Sequence, residues 1–401
     1  MQGNLRLLYG FTFFDQFMIV IPLMVPYLGT KGITMGQFME LQAIFAVVIL
    51  CAEVPTGLLS DLWGRKRTLL LGSILKAVSF SLLPLWSGYD GFLVYHLTMG
   101  IALAMISGGD VALLYDSHLK AGGGAAGGAA VLGNAALAEQ AGAAASALTA
   151  GAMMMLSCEH LVWANAVLSW IPVLLVLRVA EPNAGADAAK PGAGALKETL
   201  SHVLVRDVAS RLVFLNLIVW GVIGLVMVWT HQKYWEEADV PLATFGVLYA
   251  AYNLVGGLSG NSAAALATRY GRGPVLAAAG VLPIVACGAM VALFGWAGIV
   301  FGVLLRVGSG VSNVLLRQAL NERIASTFRA TVMSLASLGT RGAFAIAGPL
   351  VGYGIDAWGL ANVLPALALM FALVFLALML PLVLKQAALA RTPPAARPGE
   401  G

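Results

Sequence analysis

The chain has 401 residues, of which 60% are hydrophobic and only 10% charged, with a formal net charge of +4 and a mean hydropathy of +0.87. Ordinary soluble domains carry about 25% charged residues, so a water-soluble fold of this length is excluded for want of surface charge. The class that remains is a polytopic membrane protein, in which the position of each cation matters more than the sum.

A span needs about 20 mainly apolar residues, and twelve such runs follow one another at 5–28, 36–60, 68–88, 91–115, 131–155, 159–180, 210–232, 242–266, 274–294, 296–320, 330–354 and 358–384. The first has no small-residue cleavage site followed by a polar start, so no cleavable signal peptide is expected. The fifth is rich in Ala and Gly, which suits close helix approach in a membrane. Just before it, Ala121–Ala130 reads as a flexible turn. Cys51, Cys158 and Cys287 lie in apolar runs without metal-ligand spacing and are expected to be buried small hydrophobes. The longest polar segment divides six spans from six. The expected organisation is a first bundle over 1–180, a cytoplasmic linker over 181–209, a second bundle over 210–384 and a disordered tail over 385–401. Within the linker, Leu196–Val208 could form a surface helix. With the N-terminus inside, the outer side holds only Lys31 and Lys233, and the other loop cations fall inside. Both termini are therefore expected in the cytoplasm, with the protein in the inner membrane of the cell.

The densest charge lies between spans 2 and 3, where Gly57-Leu58-Leu59-Ser60-Asp61-Leu62-Trp63-Gly64-Arg65-Lys66-Arg67 makes a tight polar turn. A worn copy, Ala264-Ala265-Leu266-Ala267-Thr268-Arg269-Tyr270-Gly271-Arg272-Gly273-Pro274, follows 207 residues later. His96 precedes Gly100 by four, and Arg306 precedes Gly310 by four, 210 residues further on. Two similar offsets point to a duplicated chain.

On these residues the chain resembles the major facilitator superfamily. Gly57, Asp61, Gly64, Arg65 and Lys66 match that family's loop motif of Gly, three residues, Asp, two residues, Gly, Arg and a further Lys or Arg. Glu53-Val54-Pro55-Thr56-Gly57 and Ala112-Leu113-Leu114-Tyr115-Asp116-Ser117 resemble a subset of bacterial drug or metabolite transporters. The resemblance implies an all-α fold of two pseudo-symmetric six-helix bundles, a central midplane cavity and alternating access. It implies that Asp61 meets the positive N-terminal end of span 11, that Arg65 pairs with Asp116, and that Glu322 pairs with Arg272 or Arg269. Thr268 stands where the acid should be, so the second copy keeps the turn and loses the latch. Topology alone is the plainer reading of these charges. Two features depart from the family's drug/proton antiporters. His96 replaces an arginine, and span 5 has no proline between Ala135 and Gly151, whereas span 11 carries Gly348-Pro349.

Ionisable groups inside a membrane are costly and face a partner or a cavity. Asp15, midway along span 1, is the first choice for a proton or cationic-substrate site; a packing hydrogen bond is the alternative. Glu53, beside Pro55, could carry a proton or balance a cation. Asp110 and Glu139 could form an acidic relay or serve as structural hydrogen-bonders. Arg306 and Arg341 stay charged and could hold an anionic solute or a carboxylate of the first half. Lys76 is expected to snorkel to the inner surface. His96 is a proton site or a packing donor. Phe11 and Phe14 could line an amphipathic cavity.

No phosphate-binding loop, metal cluster or nucleophile elbow is present in the sequence, so neither an enzyme nor a cofactor is expected. The leading expectation is a secondary transporter that exports a small organic solute against protons, as an antiporter. Proton-coupled import of an anionic metabolite comes next, and a non-transporting sensor or assembly factor of the same fold represents another class. The expected partners are the solute, protons and the lipid bilayer, with no nucleic acid, and the chain is expected to act as a monomer.

Overall fold

The computed structural model describes residues 2–124, 127–181, 201–325 and 328–391. Residues 182–200 of the expected linker, with Lys190, Lys197 and the first five residues of the expected surface helix, lie outside these, as do 392–401 of the expected tail. Two positions of the Ala121–Ala130 turn, 125 and 126, also fall outside.

The described residues are almost all helical and contain no strand. In the first half the helices are α1 Gln2–Asp15, α2 Met24–Thr30, α3 Met35–Trp63, α4 Arg65–Leu82, α5 Gly88–Ile106, α6 Gly109–Lys120, α7 Gly128–Met153, α8 Cys158–Leu168 and α9 Ile171–Arg178. After a short helical turn at His202–Arg206 come α10 Val208–Glu237, α11 Leu242–Tyr270, α12 Arg272–Ala292, α13 Trp296–Asn321, α14 Arg329–Trp358, α15 Leu360–Val374 and α16 Leu380–Arg391. Among the described residues, nine helical stretches are long and apolar enough to cross a bilayer. The three other expected spans, at α1 with α2, at α7 and at α14, are helical but fall short of that measure.

The two charged turns have one geometry. A single residue joins α3 to α4 and α11 to α12, and in each case it is glycine: Gly64 at φ 98°, ψ 147° and Gly271 at φ 86°, ψ 146°. A side chain is disfavoured at positive φ, so glycine at both sites lets a helix reverse without a loop. The repeat is thus visible in the backbone as well as in the residues.

Spans 1, 4 and 6, read as continuous from the sequence, are interrupted. Span 1 stops at Asp15 and resumes at Ile21, span 4 opens at Ser107-Gly108, and span 6 opens at Ser169-Trp170. Pro22 explains the first break: it has no N–H, and its ring clashes with the carbonyl four residues back in a continuing helix. The Gly108-Gly109 pair explains the second, because glycine gives up the most backbone entropy on entering a helix. Cys51 is exposed on α3, against the expectation of burial, while Cys287 is buried; an apolar-run cysteine on an outer helix face has no protein to cover it.

The chain packs as two compact units. One comprises 1–188, 228–254 and 341–360; the other comprises 189–227, 255–340 and 361–401. A core of the first unit gathers Leu8 and Phe11 of α1, Leu69 of α4, Leu113 and Leu114 of α6, Val131 of α7 and Val176 of α9. Near it, Asn4 bonds Ser117 Oγ at 3.0 Å and both main-chain groups of Ala180 at 2.8 Å, tying the ends of α1, α6 and α9 together. In the second unit α12 packs along α13 and against α16.

Candidate functional site

The break in span 1 carries the most highly charged buried site described. Within the turn, Ile21 N donates to Met18 O at 3.2 Å, and Val20 N donates to Asn165 Oδ1 on α8 at 3.4 Å. Ending α1 at Asp15 leaves helix carbonyls without intrahelical donors. Lys76, from α4, reaches this end. Its Nζ donates to the main-chain oxygen of Asp15 at 2.6 Å and to Asp15 Oδ1 at 2.7 Å. The ammonium therefore stabilises the negative end of a helix and a carboxylate at once. Lys76 and Asp15 are only 4% and 6% exposed, so Lys76 does not snorkel; the partner it finds in the interior removes the need to reach the surface.

Two more acids approach the pair. Asp110 lies in the first turn of α6, directly after the break in span 4, where the helix N-terminus favours an anion. Glu139 projects from α7. Both lie within electrostatic reach of Asp15. Asp15 is thus paired with Lys76 and also feels two further carboxylates. Charges in such surroundings need compensation, and a proton or a cation is the species that supplies it. Glu53 is half-buried on α3 and is joined to this group by none of these contacts. The neighbouring Thr56 ties α3 to α5 through a bond from Oγ to Ala104 O at 3.0 Å.

The charged turn is braced from two sides. Arg65 pairs with Asp116 on α6. Lys66 Nζ donates to Leu177 O at 3.2 Å, and its backbone N–H donates to Glu181 Oε1 at 3.3 Å. Glu181, the first residue of the linker, thereby accepts from the N-terminus of α4; the sequence reading treated it only as linker. Gly57 and Asp61 are exposed on α3. In the second copy Arg272 grips Glu322 with two bonds, of 2.7 and 2.8 Å, and Gln318 adds a third at 3.0 Å. Arg272 beside it holds the Glu322 carboxyl below its ordinary value.

The second unit contains a narrow recess of about 10 Å³, lined by Trp220, Met227, Pro283, Leu305, Arg306 and Ser309, among others. Trp220 is held in place by a bond from its Nε1 to Asn216 Oδ1 at 3.0 Å, and Asn216 is itself anchored to Leu378 O at 3.0 Å. Trp220 and Arg306 line the recess together, one an aromatic face and the other a permanent cation. Arg341 belongs to the first unit, and is half-buried on α14.

The remaining candidates sit in packing. Phe11 is 1% exposed within the core of the first unit, and Phe14 packs edge-on to Phe13. His96 lies between Phe45 and Tyr95, with Nδ1 2.7 Å from Phe92 O, and is buried. Among the described residues no cluster of metal-ligating side chains is found.

Comparison with known proteins bears on the family and the fold. The profile of the Major Facilitator Superfamily matches residues 6–341. An uncharacterized MFS-type transporter of Methanocaldococcus jannaschii is 30% identical over 88 residues, which span 22% of this chain and 23% of that relative. The solved structure of the nucleoside transporter NupG is similar with a TM-score of 0.75 at 13% identity, covering 98% of this chain and 100% of that one. The D-xylose-proton symporter is similar with a TM-score of 0.68 at 12% identity, covering 92% and 96%.

Proposed function

The chain belongs to the Major Facilitator Superfamily, a family of transporters rather than enzymes, and from that premise we propose that it is a proton-coupled secondary transporter that exports a small organic solute. The carrying observation is the Lys76–Asp15 pair at the broken centre of span 1, with Asp110 and Glu139 within electrostatic reach of Asp15. In this reading a proton reaches the acidic group and competes with Lys76 for Asp15. The freed ammonium no longer holds the end of α1, and the broken helix changes its angle. Release of the proton on the other side restores the pair. Chemistry and movement are linked because one side chain grips both the carboxylate and the helix terminus. The protein works as a monomer in the inner membrane, with both termini in the cytoplasm; the excess of inside cations supports that orientation.

A second reading is import of an organic anion together with protons. The recess in the second unit supports it, since the permanent cation Arg306 and the anchored Trp220 both line it.

The test uses purified protein in proteoliposomes with an imposed pH gradient and a pH-sensitive dye, while a panel of organic cations, nucleosides and organic anions is offered. Solute-dependent proton movement that disappears in Asp15→Asn is expected. Proton movement unchanged in that variant overturns the assignment to Asp15. The sign of solute flux relative to the gradient separates export from import.

A further inference from the structure

α3 ends in the charged turn at Gly64. Its other end, at Met35, is held in a different way. The four N–H groups of a helix's first turn lack intrahelical partners. Here the local chain satisfies two of them: Gln37 N donates to Thr34 Oγ at 3.3 Å, and Thr34 N donates to Gln37 Oε1 at 3.1 Å. These two reciprocal bonds make a capping box. The other two donors are taken by a residue 320 positions away. Met35 N donates to Asp356 Oδ1 at 3.0 Å and Gly36 N to Asp356 Oδ2 at 2.7 Å. Because the capping box already supports this end, water can replace Asp356 without unwinding α3.

The contact is reciprocal. Asp356, on α14, reaches the first turn of α3; Glu40, one turn into α3, accepts a bond from Tyr353 on α14. Glycine stands on both sides of the crossing. A Cβ on Gly36 would lie 2.3 Å from Tyr353 Cδ1, and one on Gly352 would lie 2.7 Å from Met35 O. Two neighbouring contacts join the same region. Phe38 packs edge-on to Trp229 of α10 with ring centres 5.1 Å apart. Gln232 of α10 accepts from Val25 N at 3.1 Å and donates to Ile21 O at 3.0 Å, standing in for the backbone bond that α2 lacks at that step.

We infer that Asp356 and Glu40, with the paired glycines Gly36 and Gly352, form a second latch that closes α14 onto the first turn of α3 and must release for this end of the transporter to open. The inference rests on the alternating-access reading above. Its logic is that of a separable joint. The polar ties run from a carboxylate to groups that water can also satisfy, and the helix end they leave behind is already capped. At this crossing Gly36 meets Tyr353 and Asp356, and Gly352 meets the Met35 carbonyl and Met39.

The experiment uses the full chain in proteoliposomes with Cys51, Cys158 and Cys287 replaced by serine and with Met39→Cys as reporter. Met39 is fully buried beside Gly352. A membrane-impermeant maleimide is added from outside and labelling is followed in time, without substrate. Labelling of Asp356→Ala about tenfold faster than the parent is expected, from loss of two bonds to a charged group. Asp356→Asn, which keeps one acceptor oxygen, falls between. Gly36→Leu, which wedges the crossing, labels at least as fast as Asp356→Ala. Gel filtration confirms that each variant is folded. Folded Asp356→Ala and Gly36→Leu that both label at the parent rate overturn the latch. The readout needs neither solute nor protons, so a failed coupling assignment at Asp15 leaves it unaffected.

Discussion

Span 1 and span 7 open the two halves of a duplicated chain, yet they are built differently. Span 1 is broken at Asp15, with Lys76 bound to the exposed helix end. Span 7 is the continuous helix α10, 30 residues long. The same contrast recurs between span 4, which opens at Ser107-Gly108 before Asp110, and span 10, which is the unbroken α13. The first half therefore places helix ends and carboxylates together in the interior. The second half places Arg306 and Trp220 on continuous helices around a recess. Duplication supplied equal frames, and the first frame was opened at its charges. Discontinuous helices at membrane depth bring backbone dipoles to bear on ions, and it is on this asymmetry that the proposed function places proton handling in the first half.

Removing one member of the buried pair tests this contrast most severely. Lys76→Ala leaves an uncompensated carboxylate and is expected to cost about 3–5 kcal/mol, seen as a large fall in thermal stability and loss of transport. The double variant Lys76→Met with Asp15→Leu is expected to recover most of that stability, because apolar replacement of a buried pair is often neutral, and still to transport nothing. A double variant that transports at the parent rate would remove the pair from the mechanism.

Healing the break is the next strongest test. Pro22→Ala restores a backbone donor and removes the ring clash, which in a helix interior is worth about 3 kcal/mol. Transport is expected to fall about tenfold or more, with melting temperature unchanged or raised. Equal transport would show that the break is a packing feature.

The charged turns sharpen the comparison with a smaller effect. In the first, Arg65→Glu is expected to slow transport several-fold, and Arg65→Glu with Asp116→Arg to recover part of it. In the second, Glu322 has its carboxyl held below the ordinary value by Arg272. A depressed acid contributes stability that is present above its unfolded value of about 4.5 and is lost as pH falls through its lower folded value. Glu322→Gln should therefore lower the melting temperature slightly at pH 7 and by less at pH 3. The effect is small because the Glu322 side chain is 45% exposed and exposed pairs are screened by water. A difference that grows toward low pH would reverse this assignment.

Much of this was legible from residue order. Arg65 with Asp116, and Arg272 with Glu322, were readable because a motif names both positions. The break at Pro22 was also written in the chain, since proline seven residues after Asp15 cannot continue a helix; a count of apolar residues passes over it because proline does not lower hydropathy enough to split a span. Lys76 was misjudged for a physical reason. A lone lysine in an apolar run looks free to snorkel until a carboxylate and a helix end are placed beside it. Asp356, Glu181 and Gln232 carried no local signal, because each satisfies backbone groups far away in sequence.

Composition alone determined that the chain belongs in a membrane, since 10% charged residues cannot clothe a soluble surface. Periodic apolar runs and the repeated turn determined helices, duplication and family, because those are local or regular properties of the sequence. Tertiary structure alone decided which charges meet. The pairing of Lys76 with Asp15 across 61 positions, and of Asp356 with Gly36 across 320, depends on how helices cross, and that geometry is set by packing rather than by any spacing along the chain.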